Sequence, residues 1–398
     1  MNPFYIYIIS FLGVIGVYLL NWSYLYNKLS FATLSFFLIS FLIAGFLGKK
    51  VIKKEELKYE KTTYDKQKLI SISVGIFVAY IIEFIYAGGS PLLTPGMYYL
   101  DFQGIPMVHV FVFTFTIFYG IYLFHCFISK KEKLVLLLYI INFIPAILII
   151  SRGMMINIIA GSFFVFLSEI GIKRVLNKKY IIGIIVFGFV TLYGFGVLGN
   201  MRISISDSRY SKFSSDYIME VGGATESFKS SIIPKPFFWA YSYISSPLAN
   251  LQENIDSGKQ KITSTDYYYY FLREITPDIL ARRISNEVEF DLSKHVKLIR
   301  PELVVGTFFL GGFYYLGWYG IIGMFIYLMA IIYLYMKLLG RDNKFRVVGI
   351  AMLCNIIVLN TFSNIIVFAG MSMQLAYPIL YRLYFIAKEY INEKKRLK

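Results

Sequence analysis

The sequence predicts an all-α polytopic membrane protein of about ten transmembrane helices, with both termini cytoplasmic and one large external loop. Three observations point that way. Of 398 residues, 57% are hydrophobic and only 16% charged, against roughly 25% charged in soluble domains. The apolar residues gather into runs long enough to cross about 30 Å of hydrocarbon. The formal charge of +16 sits in short basic patches between those runs, the pattern that marks cytoplasmic loops.

Taken in order, the expected spans are 3–20, 31–47, 69–87, 107–128, 134–150, 154–167, 180–198, 304–336, 347–366 and 371–387. The first is read as a retained helix, because its first Lys is Lys28 and no small-residue cleavage site follows. The basic patches 49–68, 130–133, 173–179, 337–346 and 382–398 all fall on one side when ten helices are threaded with both ends inside. The chain then divides into helices 1–7 (1–199), an external loop (200–302) and helices 8–10 (303–398). That loop holds thirteen Lys/Arg and thirteen Asp/Glu. A long charged segment without cationic bias is what a translocated loop looks like. Within it, 237–255 and 266–284 read as amphipathic or interfacial helices, with Thr276 as a cap and Pro277 at a first helical position.

Two runs are too long for one upright span. Residues 134–167 would make about 51 Å of helix, yet both flanks are basic, so the chain must reverse inside. Ser151-Arg152-Gly153 is the only break available. In 304–336, Gly306, Gly311, Gly312 and Gly317 interrupt the first part. Residues 304–313 are therefore expected to dip into the outer leaflet before a helix from about residue 316, which requires cover from protein or a wet cavity.

Composition also excludes some functions. Basic patches this short and scattered do not make a nucleic-acid footprint. Cys126 and Cys354 both lie in apolar runs, so neither a disulfide framework nor a cysteine metal site is expected. Phosphate-loop, Gly-x-Ser-x-Gly, His-Glu-x-x-His and Asp-x-Asp motifs are absent. Glu287, Glu289 and Asp291 alternate and would share one strand face, which a solvated surface explains without a metal.

The remaining chemistry rests on Arg, His and isolated acids. Arg152 lies about 28 Å of helix beyond Lys133, at the outer edge of the hydrocarbon. A guanidinium there either snorkels to headgroups or grips an anion, and the flanking Ser and Gly allow close backbone approach. Arg202 and Arg300 stand where the loop leaves and re-enters the membrane, at the height of a lipid phosphate. Arg209, Arg273, Arg282 and Arg283 add guanidiniums, the group suited to forked contacts with phosphate oxygens. Each is equally readable as a surface residue. His295, between Lys294 and Lys297, is the first candidate for a general base, His109 the second and Asp101 the third. Aromatic residues crowd the loop, as they do both in sugar sites and in interfacial belts.

The order and placement of several short motifs resemble the bacterial oligosaccharide repeat-unit polymerases, the Wzy family of O-antigen and capsule synthesis. These are Tyr98-x-x-Asp101-Phe102-x-Gly104-Ile105-Pro106 with His109, and Ser151-Arg152-Gly153 at a helix tip. Tyr243-x-x-Ser246-Pro247-Leu248-x-Asn250-Leu251 follows, then Gly306-Thr307-Phe308-Phe309 and Leu316-Gly317-Trp318-Tyr319-Gly320. The likeness covers most of the chain. It implies a fold similar to GT-C glycosyltransferases in the cytoplasmic (inner) membrane of a bacterium, working on the periplasmic face without metal or other cofactor. The implied substrates are undecaprenyl-pyrophosphate-linked oligosaccharides as donor and acceptor. Membrane lipid, a chain-length regulator and a flippase are the implied partners. An O-antigen ligase and, in a different class, a lipid-linked oligosaccharide flippase or transporter are the alternatives.

Overall fold

A computed structural model describes residues 1–54, 59–95, 97, 102–171, 174, 177–207, 209–259, 261–285 and 291–396. Among them the chain is helical and has no strand, only an isolated bridge between Ser23 and Ala224. The helices before the loop segment are α1 (Pro3–Tyr18), α2 (Phe31–Lys54), α3 (Lys66–Ala87), α4 (Val108–Lys130), α5 (Lys133–Ile141), α6 (Ile144–Leu148), α7 (Arg152–Ile170) and α8 (Lys178–Ser206). Within it lie α9 (Asp216–Val221), α10 (Glu226–Lys229), α11 (Phe237–Ser257), α12 (Ser264–Tyr270) and α13 (Asp278–Ile284). After it come α14 (Leu310–Leu339), α15 (Arg346–Leu359), α16 (Ala369–Ser372) and α17 (Ala376–Arg396).

Among the described residues six helices are long and apolar enough to cross a membrane: Phe31–Val51, Lys66–Ala87, Val108–Lys130, Arg152–Ile170, Lys178–Ser204 and Leu310–Leu339. Pro3–Tyr18, Lys133–Leu148 and Arg346–Leu359 are apolar but shorter. The shortest is also the best covered. α15 is buried from Arg346 through Ile357, so its 14 residues, roughly 21 Å, span protein and not lipid. α7 packs against α4 and α15, and α1 packs against α2, α11 and α15. α1 is anchored by Asn2, whose side chain accepts from Phe4 N (3.0 Å) and donates to Gly48 O (2.9 Å).

Several boundaries differ from the expected ones for local physical reasons. Residues 134–167 do reverse: Ile150 takes φ 53°, and Ser151 caps α7 by accepting from Met154 N at 3.3 Å. The expected interfacial helix 266–284 is divided into α12, a π-turn at Phe271–Ile275, and α13. Thr276 is not the cap. Its hydroxyl donates back to Phe271 O at 2.9 Å, closing the wider turn. Helix α14 begins at Leu310 and not near 316, but Gly317 (φ 57°, ψ −139°) turns it sharply. The leading turns fold back so closely that a Cβ on Gly320 would strike the Gly312 carbonyl. This folded-back piece is covered, with Phe308 and Phe309 fully buried. Helix α15 stops at Leu359 and not at 366, and the last expected span, 371–387, is split between α16, a 3-10 turn and α17.

Four of the basic segments meet in pairs at one end of the bundle, 49–68 with 130–133 and 337–346 with 382–398. Lys66 pairs with Glu132 at 2.7 Å, Tyr59 Oη lies 3.2 Å from Ser129 Oγ, Asn343 donates to Pro378 O at 2.8 Å, and Arg382 donates to Leu338 O at 2.8 Å. The 200–302 segment occupies the opposite end, with the α1–α2 turn seated against it through Ser23, Asn27 and Ser30.

Candidate functional site

At the end carrying the loop segment, two cavities of about 480 Å³ and 400 Å³ share His109, Phe113, Ser151 and Gly153 in their walls. Arg152 and Arg202 line the smaller; Asp278, Arg282 and Arg283 line the larger. Four guanidiniums from α7, α8 and α13 thus border two adjoining cavities.

Arg152 is placed by the break described above. It opens α7, at the positive end of the helix dipole, a position suited to an anion. Below it, buried Asn157 fixes the helix: it accepts from Asn355 Nδ2 (2.8 Å) and donates to Gly153 O (2.8 Å), with Gln374 Nε2 at 3.4 Å. Arg202 is placed by the packing of α8 on α11. Gly196 and Gly199 leave room for Pro236 and Trp239, and Trp239 donates to Asn200 Oδ1 at 2.7 Å.

His109 is the second residue of α4, after a chain reversal through Gly104 (φ 59°) and Met107 (φ 66°). A Cβ on Gly104 would press on the imidazole at 2.8 Å, which explains a glycine there. The ring lies between Phe102 and Phe113, with centroids at 5.5 and 5.7 Å. Nδ1 is 2.8 Å from Glu83 Oε2. Glu83 is fully buried in α3. Sequence reading does not single it out; a lone carboxyl in an apolar run is the signal that could have done so.

The other candidates are dispersed. His295 is exposed, 6.4 Å from the Tyr314 ring, and lines none of these cavities. Arg209 lies on the surface, paired with Asp207 at 2.6 Å. Arg300 is half-buried and lines neither cavity. Arg273 donates to Tyr315 Oη at 3.1 Å, its guanidinium 4.1 Å from the Tyr269 ring centroid, in a separate cavity of about 450 Å³. Asp101, Glu287 and Glu289 lie outside the described residues, so the expected alternating acidic face is represented by Asp291 alone. Among the described residues no three His, Cys, Asp or Glu side chains are placed to hold one metal ion.

A cavity of about 250 Å³ links these regions. It is lined by Arg202, Tyr217, Trp239, Tyr243, Glu302, Val304 and Val305. Arg202 is shared with the Arg152 cavity, and Val304 and Val305 with the Arg273 cavity. No family model matches this chain, and no curated protein or solved structure matches it either.

Proposed function

We propose that this chain is a membrane glycosyltransferase that polymerises lipid-linked oligosaccharide repeat units, with undecaprenyl pyrophosphate as leaving group. The observation behind this reading is the convergence of Arg152, Arg202 and His109 on one cavity at the loop end of an apolar bundle. Arg152 and Arg202 grip the pyrophosphate, with Arg282 and Arg283 on the adjoining wall. The acceptor hydroxyl attacks the anomeric carbon of the donor sugar. The carbon–oxygen bond to pyrophosphate breaks and its electron pair leaves on that oxygen. Guanidiniums aimed at the departing charge each contribute a few kcal/mol, roughly 3. The acceptor proton goes to His109 Nε2, in the tautomer whose Nδ1–H donates to Glu83 Oε2. The geometry favours His109 over His295 as this base.

Arg152→Ala and Arg152→Lys test the proposal in cells whose only copy of the gene is the variant. Lysine keeps the charge but loses the fork, so both variants are expected to leave single repeat units where the wild type makes a ladder. A normal ladder from Arg152→Ala, at native membrane level, overturns the proposal. Loss of attachment with polymer still forming on lipid would instead identify a ligase. Chelation is expected to leave activity unchanged, since guanidinium balances the leaving-group charge; a loss that Mg²⁺ restores would contradict this.

A further inference from the structure

Glu274 occupies the π-turn between α12 and α13, an interruption that in helices commonly marks a working site. The residue is only 7% exposed, yet it lines the cavity of about 450 Å³. Its carboxylate lies on the backbone of Gly311, where any Cβ would collide with it. Asn364 Nδ2 donates both to Glu274 O and to Oε2, each at 3.0 Å, while Asn364 Oδ1 is buried without a partner. The hydroxyls of Ser293, Thr307 and Ser363 border the same space. Arg273 is turned to Tyr315 and Tyr269. The cavity therefore offers a carboxylate, an amide oxygen and hydroxyls, with the Arg273 guanidinium on its wall tied to Tyr315: a mixed set of acceptors and two-way groups that suits an uncharged polyol.

We infer that the Glu274 cavity is a saccharide subsite that holds the sugars of the growing glycan, away from its pyrophosphate. This rests on the polymerase reading above. The walls give the route: from Arg152 past Arg202, then along Val304 and Val305 to Glu274. A chain gripped there stays on the enzyme between additions, so the subsite sets how long the polymer grows.

Its grip follows the charge on Glu274. Burial pushes that carboxyl up to about 7, with Asn364 and Arg273 opposing. Burial pushes the Tyr270 and Tyr315 phenols upward. The Ser293 hydroxyl, with Lys294 nearby, holds Asp291 below the usual carboxylate range.

Two variants test the inference. Glu274→Gln removes the charge at constant shape, and Val304→Trp fills the passage from a residue 48% exposed, where bulk is tolerated. Both are expected to shift the glycan ladder to shorter chains at native protein level. The purified full chain in detergent, titrated with repeat-unit oligosaccharide released from lipid by mild acid, gives a second readout. Glu274→Gln should bind it about ten-fold more weakly than wild type at pH 8, and equally at pH 5.5, where both side chains are neutral. Wild-type ladders from both variants, or equal binding at pH 8, overturn the subsite. An unaltered ladder from Arg152→Ala instead overturns the polymerase reading, so the two failures are separable.

Discussion

Glu83 and Glu274 are buried carboxyls, and each is tolerated for a different reason. Glu83 has one oxygen on His109 and the other, Oε1, without a partner, an arrangement costly to bury unless it serves orientation. Glu83→Gln tests that role. An amide donating to Nδ1 would reverse the tautomer and put the proton on Nε2, removing the base. A loss of about 10²–10⁴-fold in transfer rate is expected, without loss of donor binding. An unchanged rate would make the pair purely structural. Glu274 makes a prediction in stability. Its carboxyl is raised in the folded state to about 7 from an ordinary 4.5, so folding favours the neutral form. Stability from this group is full below about pH 4.5 and is lost as pH rises through 7. Glu274→Gln should therefore melt at a higher temperature than wild type at pH 8 in detergent, and alike at pH 4.5. A variant less stable at pH 8 would show that the carboxylate is well paired.

At the scale of elements, the glycines show what a sequence reveals and what it hides. The reversal at Ser151 is legible because length and flanking charge forbid any other solution, and so Arg152 is legible as a helix-tip cation. The dip before α14 is legible from four glycines close together, although its hinge at Gly317 and its docking partner Gly320 follow only from the fold. Gly320→Leu should abolish that docking, at a cost of about 1–3 kcal/mol read as a lower melting temperature, since its Cβ meets the Gly312 carbonyl. A melting temperature equal to the wild type's would show that the re-entrant turns can move aside. The π-turn is not legible: Thr276-Pro277 marks a helix start within 266–284 but not a widened turn before it, and the extra residue is accommodated by Thr276, Asn364 and Gly311. His109–Glu83 is hidden likewise, because a pairing across 26 residues leaves no periodic trace.

At the scale of the whole molecule, α8 is the element that most needs apolar surroundings. Ile182, Ile185, Val190 and Leu198 are 60%, 63%, 63% and 67% exposed, and residues of this kind recur around its circumference. An apolar helix so uncovered needs lipid or a partner surface. The two ends of the bundle are chemically unlike: one gathers the Lys/Arg patches, and the other holds a loop segment of zero net charge. Positive charge resists translocation, so the orientation expected from the sequence turns the cavities outward. Cysteine at Ser257, on the exposed end of α11, should react with an impermeant maleimide in intact spheroplasts. Cysteine at Lys178, exposed at the start of α8, should react only after permeabilisation. The native Cys126 and Cys354 are buried and should contribute little background. The reverse labelling pattern would put the arginine cavity on the cytoplasmic side, where a lipid-linked donor for external polymer could not reach it, and the proposed reaction would fall with the orientation.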